Sequence, residues 1–230
     1  MSDFLKLEKK LKTEFINKNL LKQALIHRSY INEHPSTELE HNERLEFLGD
    51  AVLELVVTEN LYNNYPNPEG ELTNWRAALV NAKMLAQVAH TLEIEKYLFL
   101  SKGESKDKNE KARNYILANA MEALIGAIYM DKGWDEAKKF IENHILNHLP
   151  NILENKLYID AKSLFQEQSQ EKVGITPSYQ VISESGPDHN KTFVIGVYLE
   201  DELVAEGTGT SKQEAQMSAA ENGLDTKKWR

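Results

Sequence analysis

Residues 41–50 run His41-Asn42-Glu43-Arg44-Leu45-Glu46-Phe47-Leu48-Gly49-Asp50, and an apolar stretch, Ala51-Val52-Leu53, follows directly. Wound at about 100° per residue, Glu43, Glu46, Asp50 and Glu54 fall within roughly 80° of one another on a helix. Leu45, Leu48, Val52 and Val56 take the opposite side, as a core-facing stripe does. The plainer reading of such acids is a solvated helix face. Phe47 speaks against it. This large aromatic lies inside the acidic stripe, where it calls for another helix or another subunit to cover it.

A second segment, from Tyr115 to Tyr129, is apolar almost all round and predicts a largely buried helix. It carries Asn119 and Glu122, three residues apart and therefore on one face. An ionised carboxylate in a low-dielectric interior is very costly unless it is paired or binds metal. Oxygen-only donors from two helices, without His or Cys, suit Mg2+ or Mn2+ better than zinc. Such sites serve phosphoryl chemistry, where a divalent cation makes water a nucleophile near neutral pH and offsets phosphate charge. Spacing by itself goes no further than a candidate Mg2+ site.

At 230 residues with 41% of them apolar, the chain has room for one large or two smaller domains. The lack of cysteine excludes disulfides, thiolate nucleophiles and Cys-ligated zinc, and fits a reducing compartment. The first fifteen residues hold no apolar signal-like core, and no run reaches the ~18 apolar residues of a membrane span. The expectation is a soluble, cytoplasmic protein with no membrane partner. A formal net charge of −9 argues against a generic nucleic-acid binder. Carboxylates gathered around divalent cations would carry such a charge as well.

Helical periodicity runs to about residue 150, in segments near 4–16, 19–30, 40–64, 71–90, 109–131 and 134–147. Residues 101–111 read as an exposed loop. After Pro150 the pattern changes to a helix over 160–172, strands over 178–184, 191–199 and 203–209, and a last helix over 211–224. The fold class expected is therefore a mainly α N-terminal domain, residues 1–152, followed by an α+β (α-β-β-β-α) domain, residues 158–228.

With these residues in view, the chain resembles the bacterial ribonuclease III family. The family signature E-R-L-E-F-L-G-D matches Glu43–Asp50. Further matches are Leu25-Ile26-His27-Arg28-Ser29-Tyr30, Pro68-Glu69-Gly70-Glu71-Leu72-Thr73 and Ile116–Ala127. The C-terminal unit resembles a double-stranded RNA-binding domain, through Glu184-Ser185-Gly186-Pro187-Asp188-His189 and Gly207-Thr208-Gly209-Thr210-Ser211-Lys212. Together they cover nearly the whole chain in the family's usual order.

The resemblance implies a homodimeric Mg2+-dependent endoribonuclease, with Mn2+ able to substitute and no small-molecule cofactor. It would cut both strands of duplex RNA, leaving 5′-phosphate and 3′-hydroxyl ends with short 3′ overhangs. Precursor ribosomal RNA is the expected substrate, with some messenger and transfer RNA precursors. Matched by position, Glu46, Asn119 and Glu122 are metal ligands. Asp50 and Glu122 are the catalytic pair, with Asp50 beside the attacking water. Glu43 and Glu69 line the same acidic valley, and Phe47 inserts into the partner subunit. One position departs from the pattern: the family usually has Asp where Asn119 stands. An amide oxygen still ligates Mg2+ but brings no charge. A duplex-RNA binder that no longer cuts is the competing reading, and the five retained acids weigh against it. A small-molecule hydrolase is disfavoured by the second domain.

In that domain Ser163, Gln166, Glu167 and Gln170 form one polar helix face, which is either solvated or, by the resemblance, directed at the RNA minor groove with His189. Lys212 would hold phosphate at the start of the last helix. Residues 158–230 hold seven Lys or Arg against twelve Asp or Glu, a net of −5, so modest affinity is expected of this domain alone.

Overall fold

Two units make up the chain, Met1–Glu154 and Asn155–Arg230, in a computed structural model that describes residues 2–36, 38, 40–187 and 191–229. His189 lies outside the described residues.

The first unit is helical: α1 Ser2–Leu11, α2 Lys18–Ala24, α3 Arg28–Glu33, α4 Glu43–Asn64, α5 Glu69–Val80, α6 Ala82–Thr91, α7 Lys102–Lys106, α8 Glu110–Lys132, α9 Trp134–His144 and α10 Leu149–Glu154. Its centre is α8. Asn109 caps the start by accepting from the Ala112 amide, and Gly133, at φ 82°, ends it. Leu117, Met121, Leu124, Ile125 and Ile128 are wholly buried, each contributing roughly 2 kcal/mol of transfer free energy. The most extensive pairing is α4 on α8, and α2, α6 and α9 also pack against α8.

Two predicted helices are each broken in two, and side-chain caps are the cause. Within 19–30 the break falls at Ile26 and His27, where Ile26 forms a parallel bridge with Phe99. The Ser29 amide donates to His27 Nδ1 at 3.3 Å, starting α3, and the Ser101 amide donates to Ser29 Oγ at 3.1 Å. Within 71–90 the break is Asn81. Its Oδ1 accepts from the Met84 amide at 2.9 Å while its Nδ2 donates to the Ala77 and Ala78 carbonyls. One side chain thus closes α5 and opens α6. The expected loop at 101–111 contains the single-turn α7, capped by Ser101.

The second unit has the order α11 Ala161–Val173, β1 Ser178–Ser185, β2 Thr192–Leu199, β3 Glu202–Gly209 and α12 Lys212–Lys227. The sheet runs β1-β2-β3, antiparallel throughout. Phe165 of α11, Val197 and Leu199 of β2, Val204 of β3, and Ala219, Ala220 and Leu224 of α12 form its core. Small residues let α12 lie close on the sheet: a methyl added at Gly207 would stand 2.0 Å from the Ala219 nitrogen. This is the expected α-β-β-β-α arrangement.

Candidate active site

The first two turns of α4 carry Glu43, Glu46 and Asp50, and α8, which packs against α4, carries Asn119 and Glu122. The helices touch there through backbone, since a methyl on Gly49 would lie 1.7 Å from the Glu122 carbonyl oxygen. Glu122 and Asn119 are half-buried rather than fully enclosed, as is Glu46, whereas Asp50 and Glu43 are exposed. The acidic stripe is thus only partly solvated. Leu53, Val57 and Leu61, which repeat its azimuth seven and eleven residues on, are buried.

The acids act on one another electrostatically. Burial, then the charges of Asp50 and Glu46, push the Glu122 carboxyl up to about 7. Burial also raises Glu46, with Glu43 and Asp50 adding to it. Among the described residues no Lys or Arg pairs with Glu46, Asp50 or Glu122. Glu43 differs: Arg28 lies 3.5 Å and His41 3.6 Å from its carboxylate. Glu69, at the start of α5, is exposed and accepts from Thr73 Oγ1 at 2.9 Å. The charges acting on Glu46 and Glu122 do not include it.

Among the described residues, no three His, Cys, Asp or Glu side chains converge into a ready-made metal shell. The donor chemistry nevertheless fits a hard divalent cation. Glu46, Asp50 and Glu122 act on one another with no Lys or Arg paired to any of them among the described residues, and Asn119 lies one turn before Glu122 on the same helix. A carboxyl pushed up to about 7 marks a site short of positive charge.

Phe47 is 82% exposed in the single chain, and Tyr62 at 79% and Leu55 at 57% continue its line along α4. Sequence reasoning passed over Gly49 and Gly126, both buried where the helices cross. The available signal was their position inside otherwise strong helices, at about 1 kcal/mol each relative to Ala.

In the second unit Ser163, Gln166, Glu167 and Gln170 are all exposed along α11. Three are already engaged. Ser163 Oγ donates to Asp160 at 2.6 Å, Lys156 lies 3.7 Å from Glu167, and Gln170 Nε2 donates to Thr176 Oγ1 at 3.3 Å. Lys212 opens α12 with its Nζ 5.8 Å above the Phe193 ring. The same helix end holds a carboxylate, because Glu214 accepts from the Thr210 amide and hydroxyl at 2.9 and 2.6 Å.

Comparison with known proteins shows the family of the chain. The family model described as Ribonuclease-III-like matches residues 17–149, and the double-stranded RNA binding motif matches 161–226. Ribonuclease 3 of Dehalococcoides mccartyi strain 195 is 43% identical over 226 residues, covering 97% of this chain and 94% of the relative. This chain belongs to the ribonuclease III family. Ribonuclease 3 of Oceanobacillus iheyensis is 44% identical over 225 residues, covering 97% of this chain and 98% of its own length. The crystal structure of the nuclease domain of ribonuclease III from Campylobacter jejuni superposes with a TM-score of 0.56 at 40% identity, covering 65% of this chain and 98% of that one. A second structure of that domain, with a TM-score of 0.54, is described for flexibility in a region involved in dimer formation.

The protein is thus a ribonuclease III-type endoribonuclease with a double-stranded RNA-binding domain. No described helix is long and apolar enough to cross a membrane.

The raised Glu122 carboxyl has a sign that can be measured in a ribonuclease III. Its ordinary value is 4.5 and its folded value about 7. The folded chain therefore binds the extra proton between these limits. The stability this proton contributes is full below about 4.5 and lost as pH rises through about 7. In EDTA, Glu122→Gln should melt above the parent at about pH 8, with the gap closing toward pH 4.5. Differential scanning fluorimetry across that range checks it; a gap independent of pH would contradict the assignment.

Proposed function

We propose that this ribonuclease III cuts duplex RNA with Mg2+ held by Glu46, Asn119 and Glu122, Mn2+ being able to substitute. The observation that carries the reading is the uncompensated group of carboxylates where α4 crosses α8, with Glu122 pushed up to about 7. When bound, such a cation supplies Lewis acidity to the phosphate and lowers the pKa of water. Asp50 orients the attacking water, and Glu122 with Asp50 forms the catalytic pair. Water adds to phosphorus, the bond to the 3′ oxygen breaks, and that oxygen takes up a proton. The products are a 5′-phosphate and a 3′-hydroxyl. Glu43, with Arg28 3.5 Å from its carboxylate, and Glu69 border the valley in which the duplex lies.

The working unit is a homodimer. Phe47, Leu55 and Tyr62 form an exposed apolar line on α4 that a second copy covers. Two sites then cut opposite strands and leave short 3′ overhangs. The nuclease domain spans residues 1–152, and residues 158–228 bind duplex through Ser163, Gln166, Glu167, Gln170, His189 and Lys212. Substrates are precursor ribosomal RNA and some messenger and transfer RNA precursors, in the cytoplasm.

The test is incubation of the full chain with a duplex RNA in EDTA, Mg2+ or Mn2+. Cleavage should need the cation and yield 5′-phosphate ends; undiminished cleavage in EDTA would refute the metal. A finer prediction concerns Asn119. Asn119→Asp adds a charged ligand and should lower the Mg2+ concentration for half-maximal rate by roughly tenfold, the scale on which changes around a metal alter affinity. An unchanged Mg2+ titration would remove Asn119 from the ligand set.

A further inference from the structure

Gly49 and Gly126 face each other across the crossing of α4 and α8. A methyl on Gly49 would lie 1.7 Å from the Glu122 carbonyl oxygen and 2.8 Å from the Gly126 nitrogen. A methyl on Gly126 would lie 2.2 Å from the Leu45 carbonyl oxygen and 3.1 Å from the Gly49 nitrogen. Every one of these neighbours is backbone, so none can swing aside as a side chain does. The contact is reciprocal, and even alanine at either position would force the helices apart.

The crossing lies among the acids. Glu46 and Asp50 flank Gly49 on α4, and Glu122 sits one turn before Gly126 on α8. Mutual repulsion of these carboxylates pushes the helices apart, and no Lys or Arg pairs with Glu46, Asp50 or Glu122 among the described residues. Opposing that push, Leu45, Val52 and Leu53 of α4 and Leu117, Met121 and Leu124 of α8 are all buried.

We propose that Gly49 and Gly126 are positioning residues that set the helix spacing of the acidic site before any cation arrives. The proposal rests on the reading above that these acids hold a divalent cation. Side-chain rotation then completes the shell on a frame already built, so binding does not have to draw two helices together against repulsion. A methyl at Gly126 would widen the frame and leave the ligands of one helix out of reach.

Calorimetric titration of the full chain with Mn2+, in the absence of RNA, tests this. Gly126→Ala should bind Mn2+ at least tenfold more weakly than the parent, with its circular dichroism and its metal-free binding of duplex RNA unchanged. Gly103→Ala, whose methyl meets only the Ser101 hydroxyl at 3.7 Å, should keep the parent affinity. Parental Mn2+ affinity in a folded Gly126→Ala overturns the proposal. Should that variant not fold, hydrogen exchange of the parent decides. Amides of 45–49 and 122–126 should be as protected in EDTA as in Mg2+. Marked slowing by Mg2+ would show that the cation draws the helices together, and the proposal falls. A parent that takes up no Mn2+ under any condition removes the metal reading itself, a different failure from either of these.

Discussion

Glu122→Gln should lower the rate of duplex-RNA cleavage by about 10^3-fold, the scale seen when one preorganised charged group is removed from a reaction centre. The substitution keeps shape and removes charge, so packing at the crossing is preserved. Glu122 stands in both proposed roles, as a cation ligand and as a member of the catalytic pair with Asp50. Its burial and its charged neighbours mean that it senses the centre of the site, since Asp50 and Glu46 both act on it. Binding of duplex RNA should survive, because Ser163, Gln166, Glu167 and Gln170 lie in the other unit. Single-turnover cleavage and a gel-shift assay in the absence of divalent ions measure the two separately. A variant that cuts within tenfold of the parent would remove Glu122 from the catalytic pair. The same variant is expected to melt higher than the parent in EDTA near neutral pH, and observing that would separate lost activity from a damaged fold.

The second large effect is expected at Phe47. Phe47→Ala should raise the dimer dissociation constant by roughly 10^3-fold. A buried aromatic anchor is worth about 2 kcal/mol or more at an interface, and a two-fold symmetric contact loses it twice, about 4 kcal/mol in all. The monomer should be unharmed. Phe47 is 82% exposed in the single chain, and exposed substitutions usually shift folding stability by less than about 0.5 kcal/mol. Sedimentation equilibrium over a range of protein concentrations reads the constant directly. If the proposed pairing of two sites is right, nicked duplexes should also accumulate over double cuts as the dimer is diluted. An unchanged association constant would mean that Phe47 is covered by something other than a second copy.

Much of this architecture is written locally. The switch from a helical to a two-residue period after Pro150 separates an all-helical unit from an α-β-β-β-α unit. Ala215, Ala219 and Ala220, spaced to share one face of α12, are all buried. The two helix breaks at His27 and Asn81 were equally local, yet the periodicity passed over them. Apolar spacing continues in phase across a cap, and only the side-chain hydrogen bonds show where the chain turns.

The site divides along a different line. That Glu43, Glu46 and Asp50 share one helix face, and that Asn119 and Glu122 share another, is determined by sequence, because helix geometry turns spacing directly into direction. Which of those faces is buried was not. The azimuth of Glu46 and Asp50 becomes core at Leu53, Val57 and Leu61, since α8 lies across that side of α4. Nor does the sequence raise the Glu122 carboxyl. Those properties depend on where two helices meet, and the meeting point is set by backbone contact at Gly49 and Gly126. A residue's chemistry and its direction on its own helix are local properties. Its burial and its charged neighbours belong to the other helix, and only the tertiary structure brings that helix to it.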